Sequence, residues 1–403
     1  MSIFQKIKSP GLLTVAAIAI PISMAALAIH ASQRYTENTI DRHSLHPAPN
    51  IVKTNNTPKI QLAILLDTSS SMSGLIDQSR QQIWQVVNEF VEAKRDGVKP
   101  ILEVAVYEYG NDHLSGEQGH IRQVSALTSE LDQVSEALFS LTTNGGQEYC
   151  GYVIKTAVDD LAWSDSNNDI KAIFIAGNEP FTQGPVRFQD AIAKAKKKGI
   201  VVNTIHAGNH HEGLNSGWKD GAVLAGGNFM SINHNQKVVH VNAPQDKRLA
   251  ELNNQLNKTY IPYGAEGKKK MDRQASQDLK NRSISAGLSA KRTRSKASSY
   301  YSNSTWDLVD AEKNGKVDLD NIAEAKLPEK MRAMSKSERK THVKETANKR
   351  AQIKKEILAL SKSRDNFVAK EKQKKLTSKD NTMDEALTQA IRAQAKQKNF
   401  TLN

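Results

Sequence analysis

Three short runs of branched apolar residues constrain this chain most: Ile60–Leu66, Ile170–Ile175 and Ile200–Ile205. Each is too short for a core helix and too continuous for a strand with one wet face, so each reads as a strand buried on both sides. Between them lie segments of helical spacing, at 76–94, 131–141, 149–161 and 186–198, the last stopped by Gly199. Leu102–Tyr109 alternates as a further strand. Buried strands alternating with helices require a mainly parallel sheet covered on both faces, a doubly wound α/β domain. In such sheets ligands sit beyond the carboxyl ends of the strands.

The rest of the chain has a different character. Residues 1–31 read as a signal peptide or an N-terminal membrane anchor. Lys6 and Lys8 precede a charge-free apolar run, Gly11–Ile29, with small residues at Ala26 and Ala28 in the manner of a cleavage site. The run is also long enough for a helix spanning a bilayer of about 30 Å. Either way, the positive-inside rule leaves the remainder outside the cytoplasm, periplasmic or extracellular and tethered to the inner membrane if the segment is retained. Residues 32–58, with Pro47, Pro49 and Pro58, read as a linker to an α/β domain at 59–263.

Charge divides what remains. The 403 residues carry a formal net charge of +13, but residues 1–263 hold 23 basic and 25 acidic side chains, whereas residues 264–403 hold 33 and 18. The basic excess belongs wholly to the back of the chain. Residues 264–334 are rich in Lys, Arg, Ser and Gln and are expected to be poorly ordered. Residues 335–403 are expected to form a charged helical tail. Ser335–Glu338 is a capping box opening a long helix, and Thr382–Glu385 opens a shorter one. On the long helix Ile353, Ile357, Leu360 and Phe367 form a narrow stripe interrupted by Arg350 and Arg364, which suggests a surface-bound or coiled-coil helix. Tyr300, Tyr301 and Trp306 read as an anchor that docks this region onto something, the first domain included. Few aromatics interleave the charges and the chain reads as exported, so nucleic acid is not an expected partner. An anionic surface is the more natural one.

The strongest local signal lies at the carboxyl end of the first run. Asp67-Thr-Ser69-Ser-Ser71 places one carboxylate and two hydroxyls in a strand-to-helix loop. All three are hard oxygen ligands, suited to a small divalent cation that retains several waters. The alternative is that Asp67 and the serines merely cap the following helix.

Strand, D-x-S-x-S, amphipathic helix and further α/β units together resemble the von Willebrand factor A (vWA) domain over about residues 58–235. The resemblance implies a Rossmann-like fold. It also implies a metal-ion-dependent adhesion site (MIDAS) holding Mg²⁺, or Mn²⁺ or Ca²⁺, that binds an acidic side chain of a protein partner, without catalysis. Asp67, Ser69 and Ser71 match the first part of that site. The remainder departs from the pattern: Gln147 falls where the family has Thr, and Gly177 where it has Asp. Thr143, Glu148 and Glu179 are nearby oxygens that would complete a remodelled site; otherwise the site is vestigial.

Three other features compete for chemistry. Cys150 is the single cysteine, which excludes an intrachain disulfide, and it lies next to Glu148. It would be a nucleophile only with a base in reach, such as His206, His210 or His211; otherwise it is a small core residue. His210-His-Glu212 reads as a polar loop in preference to a metal pair. Trp218 and Phe181 are partner contacts or packing residues. The expectation is therefore an exported, metal-dependent protein-binding module and not an enzyme. Two alternatives remain: an envelope-associated structural protein with a vestigial site and a basic tail on anionic surfaces, and a Cys150-dependent hydrolase.

Overall fold

The computed structural model describes residues 57–90, 93–232, 241–375 and 383–402. The apolar run 11–29 and Thr382 of the second capping box lie outside the described residues. Among the described residues no helix is long and apolar enough to cross a membrane.

Six strands form one sheet: β1 (Lys59–Asp67), β2 (Ile101–Tyr109), β3 (Ile121–Thr128), β4 (Ile170–Gly177), β5 (Val201–Ala207) and β6 (Phe229–Ile232), in the order β3-β2-β1-β4-β5-β6. All neighbours are parallel except β2 and β3. β1 shows why the sequence demanded this. Its Ile60, Leu62 and Leu66 enter one core and its Ala63 and Leu65 the other. Successive side chains point to opposite faces, and both faces are covered.

One face is covered by α3 (Cys150–Asp160), α4 (Phe188–Lys197) and α6 (Trp218–Ala225), with α5 (His210–Asn215) beside α6. Phe181 and Trp218 are both fully buried here, with ring centroids 4.8 Å apart, so they are packing residues. The other face is covered by α1 (Ser73–Glu89) and α2 (Leu131–Ser140), and then by the C-terminal helices. These are α7 (Asp246–Asn257), α8 (Gly267–Ile284), α9 (Ala286–Ala297), α12 (Lys336–Lys375) and α13 (Met383–Gln397), whereas α10 (Leu308–Lys313) and α11 (Glu329–Arg332) pack in a separate cluster with Ile261, Leu319, Leu327 and Val343.

Residues 264–334, expected to be poorly ordered, instead carry α8 to α11. Leu249, Leu288, Tyr301, Ile357 and Ile391 share one core with Leu62 and Val104 of the sheet, and the described residues from 57 onward fall in one compact unit. The shift in charge at Gly264 therefore marks no packing boundary. Composition misleads because the charges are paired inside. Arg292 is buried with its Nε 2.6 Å from Asp278 and its Nη2 2.8 Å from Asp132, and its guanidinium lies over Trp84. Lys296, also buried, places its Nζ 2.7 Å from the other Asp278 oxygen.

The same holds on α12. Its capping box forms: the Ser335 amide donates to the Glu338 carboxylate at 2.7 Å, and the Glu338 amide donates back to Ser335 Oγ at 3.3 Å. Arg350 and Arg364 do not interrupt the apolar seam but continue it inward. Arg350 bonds Asp307 and Asp310 at 2.6 and 2.9 Å, and Arg364 bonds Asp246 at 2.6 Å, on either side of buried Ile353 and Ile357. α12 packs on α7, α9 and α10. The aromatic anchor docks onto the α/β core: Tyr300 donates to Ala93 O at 3.0 Å, Tyr301 donates to the Asp132 carboxylate, and Trp306 packs on Tyr260.

Candidate functional site

β1 sits between β2 and β4, with Asp67 in register with Tyr109 and Leu66 with Ala176. The carboxyl ends of three parallel strands thus bring three loops together around Asp67. The loops are stitched by backbone bonds. Thr68 N donates to Tyr109 O at 2.8 Å, Asn144 N to Thr68 O at 3.0 Å, and Ser70 N to Gly145 O at 2.9 Å.

Asp67 is fully buried. Its Oδ1 accepts from the Ser69 amide at 2.8 Å, which fixes the carboxylate's orientation, whereas Oδ2 is buried without a hydrogen-bond partner. Ser69 Oγ and Ser71 Oγ lie 3.2 Å apart, and Ser71 Oγ approaches Asn178 Oδ1 at 3.5 Å. The serines are not helix caps. The residue preceding α1 is Met72, no side chain caps that helix, and Ser69 makes no cap bond to the short 3₁₀ turn at Ser70–Met72.

Glu148 is the second carboxylate of the site. Gly110 wedges between it and Asp67: a β-carbon there would lie 2.8 Å from Glu148 Cγ and 3.0 Å from Asp67 Oδ1. Gly110 also has φ +80°, so glycine alone fits on both counts. Burial pushes the Asp67 carboxyl up to about 7, and the Glu148 charge adds to the effect. Burial raises Glu148 too, and Glu179 and Asp112 push in the same direction. Among the described residues, no lysine or arginine forms an ion pair with any of these four carboxylates.

The remaining expected ligands are less central. Thr143 is half-buried on the loop that Asn144 ties to Thr68. Glu179 is half-buried, and its carbonyl accepts from Trp218 Nε1 at 2.8 Å. Gln147 is exposed and accepts from the Tyr149 hydroxyl at 2.7 Å. Among the described residues, no three His, Cys, Asp or Glu side chains are arranged to hold a metal ion. A cation here would therefore rest on Asp67 and hydroxyl oxygens, not on a cage of carboxylates.

Below the loops, Tyr109 and Cys150 fill the floor. The buried Tyr109 hydroxyl donates to Ala176 O at 3.0 Å and lies 3.7 Å from Cys150 Sγ. Burial drives the Cys150 thiol far above its ordinary range, and the Asp67 and Glu148 charges reinforce the shift while Tyr109 only partly offsets it. A nucleophilic thiol needs the opposite environment. His206 points its Nε2 to Asn178 O at 3.2 Å, and His210 pairs with Ser231 at 3.1 Å. His210 and His211 open α5, whose first turn is capped by the Asn209 side chain, so this segment is a short helix and not a loop.

Gly110, Tyr109, Asp112 and Asn178 are the site residues that sequence reasoning missed. The signal for the first three was the loop after the second strand, which any strand adjacent to β1 must bring to the same end.

Residues 61–215 match the family model for the von Willebrand factor type A domain. No curated protein matches the chain. Among solved structures it is similar to proximal thread matrix protein 1 from the mussel byssus, at 13% identity and TM-score 0.34, over 44% of this chain and 42% of that one. It thus spans less than half the length of the mussel protein. The same protein with a zinc-occupied MIDAS motif matches at 14% identity and TM-score 0.32, over 45% and 43%. An aerotolerance-related membrane protein from Bacteroides fragilis matches at 14% identity and TM-score 0.31, over 44% and 93%.

Proposed function

Taking residues 61–215 as a vWA domain, we propose that the chain is an exported module that recognises a protein partner through a divalent cation held at the Asp67 face. The observation that carries this reading is the buried, unpartnered Asp67 Oδ2 beside two serine hydroxyls that cap nothing. A buried carboxylate oxygen without a partner is costly, and a cation is one way to satisfy it. Asp67, Ser69 and Ser71 would hold the metal, Mg²⁺ first and Mn²⁺ or Ca²⁺ next, with Thr143, Glu148 or Glu179 supplying a further oxygen. When bound, the cation supplies positive charge and open positions for a partner's carboxylate. The chain's own residues orient the site: the Ser69 amide holds Asp67, and Gly110 lets Glu148 approach it. No catalytic step is part of the proposal.

One observation favours the vestigial alternative. At the position where the family has Asp, Gly177 packs directly on Asp67 and Tyr109, leaving no room for a side chain. Calorimetric titration of Mg²⁺ and Mn²⁺ into the full chain and its Asp67→Ala variant decides between the two. Binding heat in the wild type and none in the variant supports the metal site. Equal, negligible heats would remove it. Retention of a partner from a native envelope extract should then be lost in EDTA. Export is tested separately, by fractionating cells that express the chain with and without residues 1–31.

A further inference from the structure

A cleft of about 500 Å³ opens on the sheet face that α3 covers. α3 packs on β1, β2 and β4, and the cleft is the space left between it and the edge strand β3. One wall is a single stripe of α3: Tyr152, Lys155, Thr156 and Asp159 stand at i, i+3, i+4 and i+7. The other wall is β3, where Gln123 is in register with Tyr107 of β2. None of the lining residues is a ligand expected at the Asp67 face.

Tyr107 lines the cleft and is 1% exposed, and its hydroxyl is buried without a hydrogen-bond partner. Burial, then the charge of Asp160, push this phenol up to about 12, so it stays protonated and able to donate. A buried hydroxyl left unpaired is unfavourable, and a ligand oxygen in the cleft would pair it. Tyr152 is half-buried and is held by the turn that precedes β3. Gly119 in that turn has φ +72°, and a β-carbon on it would lie 2.4 Å from Tyr152 Cδ1. Glycine is therefore what lets the ring stand against the turn.

The charges around the cleft cancel. Arg122 pairs with Glu108, and Lys155 with Asp159 at 3.3 Å. Asp159 is shared with Lys194 at 2.5 Å. Asp160, exposed at the end of α3, forms no ion pair among the described residues. An anion would meet Asp160, and a cation would meet Lys155 and Arg122. What the lining offers is neutral: the Tyr107 and Thr156 hydroxyls, the Gln123 amide with donors and an acceptor, and the Tyr152 ring with its apolar face.

We propose that this cleft binds a neutral saccharide of one or two pyranose units. A pyranose carries hydroxyls that both donate and accept around its rim and an apolar C–H face above and below. Those are the complements of the Tyr107, Thr156 and Gln123 groups and of the Tyr152 ring. The volume lies within the roughly 300–1,000 Å³ of small-molecule sites. The cleft needs no cation at Asp67, so this binding is separate from metal-dependent recognition of a protein partner.

The test is titration of maltose, cellobiose and N,N′-diacetylchitobiose into the full chain, read by saturation-transfer NMR in EDTA. Saturable binding of at least one disaccharide is expected. It should weaken about tenfold in Tyr107→Phe, the loss of one hydrogen bond, and disappear in Tyr152→Ala. Tyr107→Phe keeps the ring and removes an unpaired hydroxyl, so its urea midpoint should be no lower than that of the wild type. Gln123→Ala, at an exposed position, carries the test if Tyr152→Ala fails to fold. Asp67→Ala should bind as the wild type does. Binding of none of the three disaccharides overturns the proposal, as does binding that survives the substitutions in the cleft. Saturable binding of spermidine or inorganic phosphate that those substitutions abolish overturns it too.

Discussion

Gly177 stands so close to Asp67 that a β-carbon on it would lie 3.0 Å from Asp67 Oδ2 and 2.5 Å from the Tyr109 hydroxyl. A side chain at position 177 would therefore force Tyr109 or Asp67 to shift. Gly177→Asp is expected to destabilise the fold by about 1–3 kcal/mol through overpacking. It also buries a second carboxylate against Asp67. Urea unfolding and Mg²⁺ titration of this variant check both points. Undiminished stability with tighter Mg²⁺ binding would show that the loops relax to accept a carboxylate at position 177.

The buried Arg292–Asp278–Lys296 cluster joins α8 and α9 beneath α1 and α2. Asp278→Ala leaves two buried cations without their shared carboxylate and is expected to cost about 3–5 kcal/mol in urea unfolding.

The same cluster has a pH signature. Burial alone would raise the Asp278 carboxyl, but Lys296 and Arg292 outweigh it and hold it well below its ordinary 3.8. A depressed native pKa means that the unfolded chain binds the proton first, so stability falls as pH is lowered. The contribution of Asp278 is complete above about pH 4 and is lost as pH falls toward the native pKa. Urea midpoints between pH 5 and pH 2.5 should fall more steeply in the wild type than in Asp278→Ala.

Cys150 is buried at the start of α3, and its ionisation is opposed by its surroundings. The native protein should resist alkylation by iodoacetamide at pH 8 and react only once unfolded in urea, as read by mass spectrometry. Rapid native labelling would contradict the floor position described here. Cys150→Ser should leave the Mg²⁺ response of the folded protein intact.

The capping box at Ser335 and Glu338 closes the first turn of α12. Ser335→Ala is expected to cost about 1 kcal/mol. Hydrogen exchange should localise the loss to residues 336–340, with the sheet unaffected.

How much of this was legible in the sequence depended on how far each residue reached for its partners. Strands β1, β2, β4 and β5 were evident because burial on both faces leaves a local apolar run. β3 and β6 were not: one is a polar edge strand with Arg122 and Gln123 exposed, and the other is only four residues long. The Asp67 loop was evident because its three oxygens are adjacent in sequence. Gly110, which lets Glu148 approach Asp67, and Gly177, which packs against Asp67 and Tyr109, owe their roles to neighbours on other strands.

By itself, the sequence determined the parallel α/β sheet, the oxygen-rich loop at its carboxyl edge and the concentration of basic charge after Gly264. Only the tertiary structure decided what that charge does. Arg350 and Arg364 read as interruptions of an apolar stripe because their partners, Asp307 and Asp246, lie 43 and 118 residues away. A charge adjacent to its counterion can be recognised from spacing. A charge paired across the fold cannot, because the same residue is a solvated surface group or a buried tie depending on what the chain folds against it.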